Sequence, residues 1–226
     1  MLNLLSGKNL DDRLGFIRKV YAILSIMLTF SFGCIAMTKS IDEVNTFMRG
    51  QMILAIVCVF TALIPLIMLQ CCMKISRKTP LNYFLLAAVT LLFTYFLCFL
   101  TSFYPGPQIV VAGGMTLVIT IALTIFAFNT NADFTMLSNM HLILFLTGFM
   151  VGLAWIFIPQ NSWWNHLFAG FFVLLYSFYI IWHTQLIAGG KGEELTIDDY
   201  AVGAVLLYID IIYLFMNLLR LLGGAK

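Results

Sequence analysis

Apolar residues run through this chain in long unbroken blocks, without the stripes of a surface helix or the alternation of a half-buried strand. Seven blocks stand out, over about 16–37, 51–72, 81–103, 108–128, 140–158, 163–187 and 197–222. A run of about 20 apolar residues crosses the ~30 Å hydrocarbon core of a bilayer as a helix. Short connectors rich in turn residues separate several of them: KTP at 78–80, YPGPQ at 104–108, NTNAD at 129–133 and PQNS at 159–162. Helices satisfy their own backbone groups, as lipid demands, and long alternating segments suited to a barrel do not occur. The pattern predicts an all-α membrane protein, a single seven-helix domain over 1–226 with a short N-terminal segment, 1–15, outside the lipid. The TIDD stretch at 196–199 places a Thr three residues before an Asp, the spacing of a capping box, at the start of the last span.

Composition sharpens this picture. Hydrophobic residues make up 62% of the chain and charged residues 10%, with mean hydropathy +1.00. Soluble domains carry about 25% charged residues, so a water-facing surface cannot be built from this sequence. The net charge of +2 and the lack of a long basic run give no reason to expect nucleic acid as a partner. The first nineteen residues are polar and mixed in charge, unlike a cleavable signal peptide, so the first span is expected to stay in the membrane. Lys8, Arg13, Arg18, Lys19, Lys74, Arg77, Lys78 and Lys191 fall on one side of the predicted spans. Only Lys39, Arg49, Arg220 and Lys226 fall on the other, which places the N-terminus in the cytosol by the positive-inside rule.

Candidate chemistry is sparse. Of ten acidic residues, only Asp210 lies deep within an apolar block. A carboxylate at the centre of a membrane helix costs about 3 kcal/mol on insertion scales and usually finds a partner facing the bundle interior. His183, near the end of the sixth block, is the expected partner, although a count from the helix ends sets the two residues at different heights. Tyr176 and Tyr179 precede His183 by seven and four residues; Tyr213 and Asn217 lie on the same face as Asp210. These groups read either as the lining of a narrow ion or proton path or as core packing around a hydrogen-bonded carboxyl. The sequence lacks the Gly-x-Ser-x-Gly motif of a membrane serine protease and a lysine deep in the last span for retinal. His141, His166 and His183 are spread over both ends of the spans, so they do not form one zinc site. Five cysteines sit in or beside apolar blocks, which argues against a disulfide framework. Cys71 and Cys72 abut Lys74, Arg77 and Lys78, a setting for S-palmitoylation, though they also read as small residues ending a helix.

Several stretches together resemble the transmembrane Bax inhibitor motif family, above all its Lifeguard and Golgi anti-apoptotic branch. They are RLGFIRKVYAILSIMLTFSF, CCMKISRKTPLNYFLLAAVTLLFTY, IALTIFAFNTNADFT, TQLIAGG and LTIDDYAVGAVLLYIDIIYLFMNLLRLLG, in family order over nearly the whole chain. The resemblance implies a seven-helix bundle with helix seven at its centre, residence in endoplasmic reticulum or Golgi membranes, and no enzymatic activity or cofactor. It also implies suppression of cell death and a pH-sensitive calcium leak. Expected partners are the bilayer and other membrane proteins of calcium stores or cell-death regulation. The family's pH sensor is a pair of aspartates, one in D-T-Q and one in Y-x-D-I-I. Asp210 matches the second and is the one candidate calcium ligand, whereas His183 stands at the first.

That exchange changes the physics of the pair. Two close carboxylates share a proton because both cannot ionise cheaply. A charged His183 beside an ionised Asp210 forms a neutral pair instead, and imidazole offers calcium no oxygen ligand. Two functions follow from this reading: a proton-sensitive cation leak with an altered latch, or a non-conducting adaptor that works through helix contacts with other membrane proteins.

Overall fold

The computed structural model describes residues 7–135, 146–152, 162–189 and 194–223. They form helices α1 (Gly7–Ser40), α2 (Asp42–Arg49), α3 (Met52–Cys71), α4 (Met73–Ser76), α5 (Leu81–Ser102), α6 (Gly106–Asn129), α7 (Ser162–Ala188) and α8 (Tyr200–Leu222). A further helical stretch covers 146–152, and no strand occurs among the described residues. Six helices (α1, α3, α5, α6, α7 and α8) are long and apolar enough to cross a membrane. Each coincides with one of the predicted blocks. The remaining block, 140–158, lies outside the described residues except for 146–152.

Helix α1 begins at Gly7, nine residues before its apolar block, and two further boundaries differ from the sequence reading for local reasons. The last helix starts at Tyr200 instead of 197, because Asp199 occupies the position just before it. Its backbone carbonyl accepts from the Gly203 N–H at 3.0 Å, the first bond of the helix. Its Oδ2 accepts from the Thr196 backbone N–H at 3.2 Å and the Thr196 hydroxyl at 2.5 Å. The Thr–Asp pair thus forms, but one turn ahead of the helix that it was expected to enter. The second difference is α2, an eight-residue helix in what read as a loop. Asp42 and Glu43 lie in its first turn and Arg49 in its last, the arrangement that complements the helix dipole.

Contacts divide the chain into two compact units: residues 1–13, 107–195 and 209–225 form one, and residues 14–106 with 196–208 form the other. The second unit contains α3 packed on α5. Ala55, Cys58 and Ala62 are buried on α3, and such small residues let helix backbones approach closely in lipid. A cluster of three hydroxyls supplies polar glue in its interior. Ser31 Oγ lies 2.7 Å from Thr94 Oγ1 and 2.8 Å from the Tyr208 hydroxyl. In the first unit Leu175, Tyr179, Trp182 and Leu186 of α7 form an apolar core flanked by Phe134, Phe171 and Phe178. Of the six long helices α8 is the most enclosed: 72% of its apolar window is buried, against 17–44% in the others. Elsewhere large apolar side chains face outward, among them Ile26, Ile53 and Val110, as lipid contact requires.

The start of α8 is tied to the segment after α4 by a two-pronged ion pair. Arg77 Nε donates to Asp199 Oδ1 at 2.7 Å and Nη2 to Oδ2 at 2.9 Å, while Nη2 also reaches the Thr196 hydroxyl at 3.0 Å. Burial alone would raise the Asp199 carboxyl's pKa. The hydrogen bonds from Arg77 and Thr196 outweigh burial and hold it below the usual carboxylate range. A carboxyl whose folded pKa is depressed stabilises the fold above its unfolded pKa of about 3.9, and that contribution disappears as pH falls through the folded value. The Arg77→Gln variant is therefore expected to melt at a lower temperature than the parent at pH 7 in detergent. The gap should narrow steadily below about pH 4; a gap of constant size across that range would refute the ion pair's role.

Candidate functional site

Helix α7 ends in a run of polar groups, His183, Thr184 and Gln185, all buried. Each of the outer two is held by a different part of the first unit. Gln185 uses both ends of its amide on the connector that follows α6. Its Oε1 accepts from the Phe134 backbone N–H at 2.9 Å, and its Nε2 donates to the carbonyls of Ala132 at 3.0 Å and Ala127 at 3.5 Å. A glutamine can thus satisfy two backbone groups of the connector and reach one carbonyl in the last turn of α6.

His183 meets Asp210. Nδ1 of the imidazole and Oδ2 of the carboxyl share a hydrogen bond of 2.5 Å, and both side chains are more than 90% buried. The height difference counted from the sequence is closed without an intervening group. The ring of Tyr179 stacks on the imidazole at 5.8 Å and 16°, and Trp182 lies 4.9 Å from it. Tyr176 and Tyr213 stack face to face at 5.0 Å and 7°. The aromatic residues expected near the pair are therefore there, arranged as a packed wall around it. Asn217 is buried as well, and its Nδ2 donates to the Tyr213 carbonyl of its own helix at 2.8 Å. No three His, Cys, Asp or Glu side chains converge among the described residues, and Asp210 is accompanied by an imidazole in place of a second carboxylate.

Cys71 and Cys72 are exposed at the end of α3, and the five cysteines are free thiols. His141 lies outside the described residues.

One important residue was visible in the sequence only as a positive charge. Arg13 is buried, and its guanidinium closes the end of α7. Nε donates to the Ala188 carbonyl at 3.1 Å, Nη1 to Leu195 at 2.5 Å and Nη2 to Leu186 at 2.9 Å, with Glu194 at 3.9 Å. The last carbonyls of a helix lack partners within it, and a cation there also meets the negative end of the dipole. Gly189 makes this fit possible. Its φ of +69° lies in the left-handed region, and a Cβ there would overlap the Arg13 guanidinium and the Glu194 carboxylate. The glycine pair after the sixth block was the available signal that a helix end needed such a cap. Arg13→Met is expected to cost on the order of 3 kcal/mol by leaving buried carbonyls unpaired. The exposed Arg18→Met should stay within about 0.5 kcal/mol of the parent, with both read from thermal melts of the detergent-solubilised protein.

Known proteins place this arrangement in context. Residues 13–226 match the family described as "Inhibitor of apoptosis-promoting Bax1". The chain is 30% identical over 216 residues to human Protein lifeguard 3, covering 93% of this chain and 69% of that protein. Mouse Protein lifeguard 3 is 29% identical over 222 residues, 95% of this chain and 71% of the mouse protein. Protein LIFEGUARD 1 of Arabidopsis thaliana is 28% identical over 220 residues, covering 94% and 90%. A matched span that begins at the helix-capping Arg13 and takes in both members of the buried pair leaves one conclusion: the chain belongs to the Bax inhibitor (Lifeguard) family.

Proposed function

We propose that this membrane protein restrains cell death from an internal membrane through a proton-sensitive calcium leak, and that the His183–Asp210 pair is its latch. The observation that carries this reading is the direct, buried contact between the one deep carboxylate and a titratable partner on another helix. The names of the family and of its relatives point to regulation of cell death and not to catalysis. Endoplasmic reticulum or Golgi is the proposed location, with the N-terminus in the cytosol on the strength of the lysine and arginine distribution.

The latch works by charge. With the ring neutral, Nδ1–H still donates to the carboxylate, but the site carries one net negative charge. Taking up a proton makes an imidazolium–carboxylate pair of no net charge, with a stronger hydrogen bond. Protonation of the pair therefore tightens the latch, and loss of that proton loosens it. Calcium, which needs oxygen ligands, gains access to Asp210 only when the imidazole has moved away.

A second reading has its own support. The aromatic wall of Tyr176, Tyr179, Trp182 and Tyr213 packs the pair closely, which suits a rigid adaptor that acts through helix contacts without conducting.

Calcium efflux from liposomes containing the purified protein separates the two. In the parent, efflux is expected to fall as pH is lowered from 8 to 6. His183→Ala should leak at every pH in that range, and Asp210→Asn should be silent. Equal fluxes in all three proteins would defeat the latch. A silent parent that His183→Asp makes conductive would instead support the adaptor reading.

A further inference from the structure

We propose that the second unit carries a binding site for one anionic glycerophospholipid, with its phosphate at Lys19 and one acyl chain in a groove between α1 and α5. The groove has a volume of about 340 Å³ and is lined by Ile23, Ile26, Met27 and Phe30 of α1 and by Tyr83, Leu86, Ala87, Thr90 and Leu91 of α5. Its walls are apolar, and the Thr90 hydroxyl is spent on the Leu86 carbonyl at 2.7 Å. Several of the residues at its opening, including Ile26 and Leu91, are exposed on the surface that faces lipid.

An acyl chain would enter any such furrow. The charge at one end makes this one selective. Lys19 lies one turn before Ile23 on the same face of α1, toward the end of the groove lined by Ile23 and Tyr83. Its ammonium sits 3.2 Å from the centroid of the Tyr200 ring, which is itself 5.9 Å from the ring of Tyr83. The Tyr200 ring is held in place from within: the fully buried Asn82 donates from Nδ2 to its hydroxyl at 2.6 Å. The ring attracts the cation without neutralising it. No carboxylate lies within ion-pair distance of Lys19 among the described residues, whereas nearby Arg77 is already committed to Asp199. Lys19 thus presents a positioned, uncompensated charge at the mouth of an apolar furrow.

Length agrees with this occupant. Lys19 to Phe30 is eleven residues, or about 16 Å of helix. That is about half of the ~30 Å hydrocarbon core, the depth that one acyl chain of one leaflet occupies. A phospholipid with its phosphate at Lys19 would therefore place its chain end near Phe30 and Leu91, at the far end of the groove.

Photolabelling of the full chain in phosphatidylcholine vesicles tests the site. The probes are trace phosphatidylserine or phosphatidylcholine with a diazirine in one acyl chain, and labelled peptides are located by mass spectrometry. In the parent, peptides from α1 and α5 at the groove should be labelled about fivefold more by the serine lipid, the ratio that ~1 kcal/mol per basic residue at an anionic surface gives. Lys19→Gln should bring this ratio to about one, and Lys19→Arg should keep it. Ala87→Phe, which fills the furrow from its lipid-facing wall, should remove groove labelling by both probes while leaving labelling of the exposed face of α6 unchanged, which also shows that the variant is folded. Equal labelling by the two lipids in the parent would reduce the groove to ordinary bilayer contact. Loss of serine-lipid labelling on adding cholesterol would assign the groove to a sterol. Either result overturns the proposal.

Discussion

In a hydrocarbon environment a polar group either finds a partner within the protein or exacts a cost of several kcal/mol. Most of what distinguishes this molecule from a generic bundle of apolar helices is the way its few polar side chains meet that constraint. Asp210 is answered by His183, Gln185 by three backbone groups at the end of α6 and in the connector after it, and the α7 carbonyls by Arg13. Ser31, Thr94 and Tyr208 answer one another. Apolar packing fills the space between helices, but it is tolerant of sliding and rotation. These hydrogen bonds are not, because each has one geometry that works. They therefore set the register of helices that lipid-like side chains alone would leave loosely specified.

The same constraint explains how the chain can hold a titratable centre without being unfolded by it. A lone ionised carboxylate at this depth would simply take a proton. The imidazole gives the buried carboxyl a hydrogen-bond partner on another helix, so the carboxyl is not left unpaired in the interior. The rings of Tyr179 and Trp182 bring apolar area against the imidazole while presenting no competing charge.

Much of this was legible in the sequence. Block length alone located five of the long helices to within a few residues, because the requirement for ~20 apolar residues per crossing leaves little freedom; α1 begins at Gly7, nine residues before its apolar block. Asp210 was conspicuous for the same reason. Less legible were features that depend on which residue caps an end. Starting the last helix at 197 put Asp210 thirteen residues in, about 20 Å by helical rise, whereas the Asp199 cap starts it at Tyr200 and shortens that to about 15 Å. The short α2 was hidden by its polarity, since it buries no residue and gives no long apolar block. Arg13 and Gln185 were opaque because their partners are backbone carbonyls and amides, which every sequence carries and none advertises.

The clamp at the end of α7 also bears on the order in which the protein is made. Arg13 binds carbonyls that lie 173 to 182 residues further along the chain. Chains are synthesised from the N-terminus, and domains form as their parts emerge. The first span is thus complete long before the groups that will hold its leading arginine exist. Until α7 and the 194–195 segment arrive, that guanidinium has only water and lipid headgroups for company, which favours its staying at the membrane surface. Closure of so long a loop comes late, so Arg13 caps α7 only after residues through Leu195 have been made, and a chain cut short before Leu195 cannot complete the cap.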